Sequence, residues 1–260
     1  MTAKPNFLII GAPKCGTTSL CAILRQHPDI FMPECKEPDF FSRDEVFARG
    51  QDWYGSLFAG VQSEAAISEA SPSYCMVESF PRAPERIASF LPEAKIIYIV
   101  RHPLERMETA WAQFLHSGHP VSRSFTKAVR EYLLFLEQSR YWQTIAAYRK
   151  QFPDDRLLVV DFEDLRSDAA SAAAECFRFL GVDPDFRVAD AGSPRNSRAG
   201  KRMERTSIRW MRRSPVWELL KAAIPSRFRR WSYQSFGTAP LPQQPVWDRE
   251  TRAWVIDQLQ

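Results

Sequence analysis

Two stretches of this 260-residue chain place cations and hydroxyls where they could hold an anion, and a third sets a carboxylate beside a lysine. In the first, NFLIIGAPKCGTTSL, the apolar run Phe7–Ile10 leads into a loop of Gly11, Pro13, Lys14, Cys15 and Gly16. Thr17, Thr18 and Ser19 then open a helical pattern. A strand, a glycine-bearing loop and a helix start aim backbone N–H groups and the positive end of a helix dipole at one point, so phosphate is the natural guest. Gly11 and Gly16 have the spacing of the triphosphatase loop G-x-x-x-x-G-K-[ST], but Thr17 stands where that loop needs its Lys. The nearest cation, Lys14, precedes Gly16 by two residues. The phosphate seat is kept and the cation moved, which argues for a phosphate-bearing donor whose breaking bond is not the γ-phosphoryl one. Cys15 reads as a small filler of the loop rather than a nucleophile.

The second stretch closes the apolar run KIIYIV with Arg101, His102 and Pro103, and continues through Arg106 to Thr109. An Arg at a strand end can fork onto a phosphate with two N–H groups, and Thr109, two turns into the following helix, can add a hydroxyl. In the third, Lys36 and Glu37 precede Phe40 and Phe41. Transfer to a hydroxyl or amine needs a base for the acceptor proton and cations against charge developing on the leaving oxygen. Glu37 suits the first task; Lys14 and Lys36 suit the second, and Lys36 would lower the pKa of Glu37. Ser68–Tyr74 follows another apolar run, and Glu69, Ser71 and Tyr74 are candidate acceptor-side contacts. His27 sits in a helix-ending L-x-x-H-P turn, which explains it better than catalysis does.

These residues need strands that end on one edge. Apolar runs at Phe7–Ile10, Ala66–Glu69, Lys95–Val100 and Leu157–Phe162 alternate with helical patterns at 17–26, 81–91, 103–117, 124–138, 141–151 and 167–180. Near-continuous apolar strands separated by helices predict an α/β protein whose parallel sheet is covered on both faces, with ligands at the carboxyl edge of its strands. After Ala191 the chain turns basic: Arg195 to Arg230 holds twelve Lys or Arg against two Glu, within a net charge of only +4. Helical pieces are expected at Ile208–Arg213 and Val216–Ile224, the latter with one apolar face that covers the sheet edge or lies on a membrane surface, packing being the favoured reading. A further helix is expected to begin near Trp254, in a chain that ends early.

Hydrophobic content of 45% and charged content of 25% fit one soluble domain over residues 1–260, with its core at about 5–190. No apolar run approaches a membrane span, and no leader precedes the first strand. Five scattered Cys without a C-x-x-C pair argue against a disulfide framework or a structural zinc, and suggest a reducing cytoplasm.

PKCGTTSL resembles the 5′-phosphosulfate loop of the sulfotransferases that use 3′-phosphoadenylyl sulfate (PAPS). R-H-P-L-E-R-M-E-T resembles their 3′-phosphate motif, R-x-P-x-x-R-x-x-S, with Thr109 in place of Ser. KEPDFF is similar to the K-E-x-x-F-F signature of the heparan-sulfate and glycosaminoglycan type, to which bacterial relatives belong. The resemblance covers about residues 5–200 and implies a P-loop-like three-layer fold with PAPS as donor, adenosine 3′,5′-bisphosphate (PAP) as product, and no metal. It implies that residues 13–19 (Pro13, Lys14, Cys15, Gly16, Thr17, Thr18, Ser19) hold the 5′ side, Arg101 and Thr109 the 3′-phosphate, and Glu37 the base role. Arg106 is implied to be structural. A basic loop of the family closes on the nucleotide, which implies Ser193, Arg198, Gly200, Lys201 and Arg202. E-A-S-P-S-Y departs from the family's E-K-[ST]-P-x-Y by Ala70, which weakens a glycosaminoglycan acceptor. Tyr141 and Trp142 are core residues or adenine neighbours, and F-E-D-L at 162–165 is a structural landmark. The acceptor stays open among small molecules, lipids and carbohydrates, with no nucleic acid and no transmembrane segment. The rival readings are a P-loop kinase, which would need Mg²⁺ and the missing Lys, and a non-catalytic anion-binding protein.

Overall fold

The computed structural model describes residues 3–34, 37–189, 202–204, 238–240 and 245–260. The chain divides into two compact units, Met1–Arg106 with Leu136–Arg195, and Met107–Phe135 with Asn196–Gln260.

The first unit is built on five parallel strands: β1 (Phe7–Gly11), β2 (Ile30–Phe31), β3 (Ala66–Ala70), β4 (Lys95–Val100) and β5 (Leu157–Asp161), in the order β2-β3-β1-β4-β5. β1 is buried at every position and β4 at its four central ones, so both faces of the sheet are covered. That is why these strands read as unbroken apolar runs rather than as alternating patterns. β2 is two residues long, too short to carry a periodic signal, and was not expected from the sequence. The helices of this unit begin with α1 (Thr17–Leu24), α2 (Asp44–Phe47), α3 (Gly50–Ser56), α4 (Ala83–Phe90) and the first turn of α5 (Pro103–His116). After α6 (Phe125–Glu131) of the second unit and α7 (Leu134–Glu137), of which only the last two residues belong to the first, they continue with α8 (Tyr141–Arg149), α9 (Phe162–Ser167) and α10 (Ala169–Leu180). α10 packs against α1 and β5 and ends at Gly181, whose φ of +82° makes the left-handed cap a side chain would disfavour.

The helix expected over 124–138 is two helices, α6 and α7. Tyr132 breaks it with an extended backbone (φ −115°, ψ +92°), and its ring packs edge-on against Phe114 at 5.4 Å. In the second unit Trp111 stacks edge-on with Phe125, which in turn meets Trp247. The last helix, α11 (Arg249–Gln258), starts five residues before the expected Trp254 because Asp248 caps it, accepting from the Thr251 N–H at 2.7 Å. Arg130 of α6 donates to Thr251 and Glu250 on that helix. Two short strands, β6 (Arg202–Glu204) and β7 (Thr238–Pro240), pair antiparallel. The helical pieces expected at 208–213 and 216–224 lie outside the described residues. Among the described residues no helix is long and apolar enough to cross a membrane.

Arg106 has the structural place expected of it. It is fully buried, and its guanidinium donates to Ser139 Oγ at 2.7 Å and Gln138 Oε1 at 3.0 Å, tying the start of α5 to the residues after α7. Removing it strands two buried polar groups. Arg106→Met should therefore lower stability by about 3 kcal/mol in urea unfolding, since lost hydrogen bonds to a buried charge are costly. A change below about 1 kcal/mol would show that those groups find other partners.

Candidate active site

The loops after β1, β3, β4 and β5 open on one edge of the first unit's sheet. Parallel pairing requires this, and it brings the sequence's candidate residues into one neighbourhood.

After β1, Gly11 (φ +140°) lets the 3₁₀ turn Pro72–Cys75 approach. A Cβ built there would lie 2.6 Å from Cys75 Sγ. Gly16 (φ +95°) starts α1, and its Cβ would lie 2.7 Å from the Phe162 ring. Both glycines are thus required by close approach as well as by backbone angle. No side chain caps α1 at Gly16, which leaves its first turn to an anion. Lys14 stands between the glycines in the left-handed region at φ +69°, a strained setting for a non-glycine residue. Cys15 is buried, and burial raises its thiol pKa, so it is a packed filler as expected.

Arg101, at the end of β4, is fastened to that loop twice. Its guanidinium lies 4.7 Å over the Phe162 ring, the same ring that presses on Gly16. Its carbonyl accepts from the Tyr141 hydroxyl at 2.8 Å, while that hydroxyl sits 3.5 Å from Cys15 Sγ. Phe162 and Tyr141 therefore set the separation between the two candidate phosphate sites. Tyr141 is a brace between loops, and Phe162 of the F-E-D-L landmark has a place in the site that its sequence pattern alone does not reveal. Arg101 also pairs with Glu105 at 2.8 Å, a contact that an incoming phosphate would have to share. Thr109 lies on α5 within the second unit.

A cleft of about 100 Å³ lies beside α1. Its walls include Thr17, Thr18, Ala22 and Arg25 of α1, then Met32 and Pro33, and then Glu37, Glu69, Ala70 and Pro72. It joins the hydroxyls of the first loop to the candidate base, though among the described residues its lining includes neither Lys14 nor Arg101. Ala70 puts a methyl where the resemblance expects a lysine. Glu37 is exposed, with φ +53°, and Asp39 follows at φ +55°. The loop is anchored by Phe40 and Phe41, both buried, with Phe40 stacked on Tyr54 at 4.3 Å. Lys36 lies outside the described residues, as do Ser193, Arg198, Gly200 and Lys201; of Arg202 only the backbone, in β6, is described.

Ser71 and Tyr74, expected to touch the acceptor, are fully buried. Their hydroxyls donate to Glu69, Ser71 to Oε2 at 2.9 Å and Tyr74 to Oε1 at 2.6 Å. They stand behind the cleft wall. Tyr54, which the sequence did not single out, adds a third donor to Oε1 at 3.2 Å. His27 is buried between Phe177 and Phe186, with Nε2 3.1 Å from the Asp183 carbonyl, and is structural.

The sulfotransferase domain family matches residues 4–230. The chain is 33% identical over 208 residues to the bifunctional heparan sulfate N-deacetylase/N-sulfotransferase 3 of Mus musculus, covering 72% of this chain and 23% of that protein. It is 33% identical over 193 residues to the heparan sulfate glucosamine 3-O-sulfotransferase 6 of Homo sapiens, covering 68% and 52%. The chain thus spans about a quarter to a half of the length of these curated relatives. Among solved structures, the sulfotransferase from Alicyclobacillus acidocaldarius superposes with a TM-score of 0.63 at 32% identity, covering 75% of this chain and 87% of that one.

Two predictions follow from the geometry of the site. Gly16→Ala forces a Cβ into the Phe162 ring at a φ that alanine resists, so calorimetry should show at least about a tenfold loss of PAP affinity; unchanged affinity would mean the loop and ring move apart freely. Burial pushes the Glu69 carboxyl up to about 7, against the hydrogen bonds from Tyr74, Ser71 and Tyr54. Between the unfolded value of 4.5 and this one, the folded protein keeps a proton that the unfolded chain has released. Stability from this group is therefore present at low pH and lost as pH rises towards 7, by an amount on the order of 3 kcal/mol. Wild-type stability should fall relative to Glu69→Gln between about pH 5 and pH 8, and a flat difference would return the carboxyl to the ordinary range.

Proposed function

The chain belongs to the PAPS-dependent sulfotransferase family, and from that premise we propose that it transfers the sulfuryl group of PAPS to a hydroxyl of a carbohydrate acceptor, with Glu37 as general base. The observation that carries the reading is the cleft in which Thr17 and Thr18 of the phosphate loop face Glu37 across one small volume. The carbohydrate class rests on the relatives, whose names give heparan sulfate as their substrate.

PAPS, when bound, supplies a sulfuryl group on a good leaving phosphate. The chain's part is to bind, orient and neutralise. The uncapped start of α1 and the Gly11–Gly16 loop receive the 5′ side. Arg101, held by Phe162 and Tyr141, takes the 3′-phosphate. Lys14 faces charge developing on the bridging oxygen, with Lys36 as a second cation, so turnover should persist in a chelator. Glu37 removes the acceptor proton at the mouth of the cleft. As in phosphoryl transfer, positioning and electrostatics supply the rate.

Calorimetric titration with PAP, AMP and ATP–Mg²⁺ tests the donor assignment. PAP should bind far more tightly than the others, and Arg101→Ala should remove about 10- to 100-fold of PAP affinity while leaving AMP little changed. Equal or tighter binding of ATP–Mg²⁺ would replace this reading with a kinase. Glu37→Gln should lower transfer of radiolabelled sulfate from PAPS to desulfated heparan sulfate by about 10²-fold or more, with PAP affinity retained. Wild-type transfer to p-nitrophenol but not to the polysaccharide would move the acceptor to the phenols.

A further inference from the structure

The loop that carries Glu37 is strained and exposed at its tip, yet a base must be held to within a fraction of an ångström of its working place. Two of the loop's backbone N–H groups end on buried hydroxyls. Asp39 N–H donates to Ser71 Oγ at 3.0 Å, and Phe41 N–H donates to Tyr74 Oη at 3.4 Å. Each of those hydroxyls spends its own proton on the same carboxylate, Ser71 on Glu69 Oε2 and Tyr74 on Oε1.

We propose that Glu69 is the positioning residue of the reaction: by accepting from Ser71 and Tyr74 it turns both hydroxyl lone pairs towards the loop and so holds Glu37 at the cleft. This rests on the reading of Glu37 as the base. A hydroxyl can point its proton either way, and only when that proton is engaged behind does its oxygen face the loop as an acceptor. A carboxylate offers acceptors alone, so it fixes both hydroxyls in one sense. An amide cannot: its NH₂ must donate, turning one hydroxyl's proton into the loop N–H that it should accept. Tyr54 completes the hub with a third donor, and its ring stacks on Phe40 of the same loop. Ser73 and Arg43 hold the Asp39 carboxylate separately, at 2.6 and 2.9 Å, so the side chain and the backbone of the loop have different anchors.

The test uses the full chain at about pH 8, where Glu69 is mostly ionised. Amide hydrogen exchange over residues 37–41 is measured together with calorimetric PAP affinity and with PAP release from PAPS in the presence of desulfated heparan sulfate. Glu69→Gln and Ser71→Ala should each speed exchange in that segment by about tenfold or more. Each should lower turnover by about 10²-fold at saturating substrates, with PAP affinity within about twofold of wild type. Ser71→Thr, which restores the hydroxyl, should recover both protection and most of the turnover, a rescue that a mere packing defect would not show. Ser71→Ala leaves the carboxylate and both tyrosines in place, so it decides the matter even if Glu69→Gln does not fold. Wild-type protection at 37–41 in Ser71→Ala, or a PAP affinity that falls in step with turnover, would overturn the proposal. Full turnover in Glu37→Gln would remove the base reading instead, leaving the exchange result to judge the hold on the loop.

Discussion

Parallel pairing makes every strand of a sheet finish on the same edge, and the site of the first unit follows from that constraint. β1 lies between β3 and β4, with Phe7 in register with both Ser68 and Lys95. The segments leaving these strands are therefore neighbours although they are some sixty to ninety residues apart in the chain. That proximity would crowd ordinary residues. Gly11 and Gly16 relieve it at the two places where a Cβ would strike Cys75 and Phe162. The glycines that look like a phosphate signature are also the clearances that let the Pro72–Cys75 turn and the F-E-D-L segment close on the loop. One pair of residues thus serves backbone geometry, packing and anion access together.

Around this edge the molecule separates two rigid tasks. Phe162 and Tyr141 fix how far Arg101 stands from the Gly11–Gly16 loop, by ring contact and by a hydroxyl shared between a thiol and a carbonyl. Beside the cleft, Glu69 gathers three hydroxyls. The first device rests on a cation–π contact and on hydrogen bonds of a tyrosine hydroxyl. The second depends on an ion buried against its preference, as its raised pKa records. A buried charge is poor material for stability but good material for direction, because it tolerates a single arrangement of donors.

Much of this was legible in the sequence, and the parts that were not share a cause. Four strands, the loop after β1, Arg101 at a strand end and the structural character of His27 rest on local patterns: apolar runs, glycine spacing, a proline at a turn or helix start; the structural character of Arg106 was implied only by the family motif. β2 was missed because two residues cannot show a period, and the break at Tyr132 because the packing of its ring on Phe114 overrides local helical preference. Ser71 and Tyr74 looked like acceptor contacts because E-x-S-P-x-Y follows a strand on the right edge. Which way a hydroxyl faces is decided by Glu69 and by loop residues some thirty positions away, and no spacing rule records that. Tyr54 and Phe162 were beyond reach for the same reason, since their partners are distant in the chain and alike in character to any core aromatic.

The departure at Ala70 then bears on how the chemistry is distributed. A lysine there would place a cation in the cleft wall directly beside Glu69 and opposite Glu37. With a methyl instead, the wall keeps two carboxylates, and among the described residues the basic group lining the cleft is Arg25, which is tied to the Pro33 carbonyl at 2.6 Å. Glu69 is pushed up to about 7 chiefly by its burial, with the hydrogen bonds from Tyr74, Ser71 and Tyr54 pulling the other way and the Asp39 charge adding a little. Burial, not a neighbouring cation, therefore sets the proton affinity of the carboxyl in this wall.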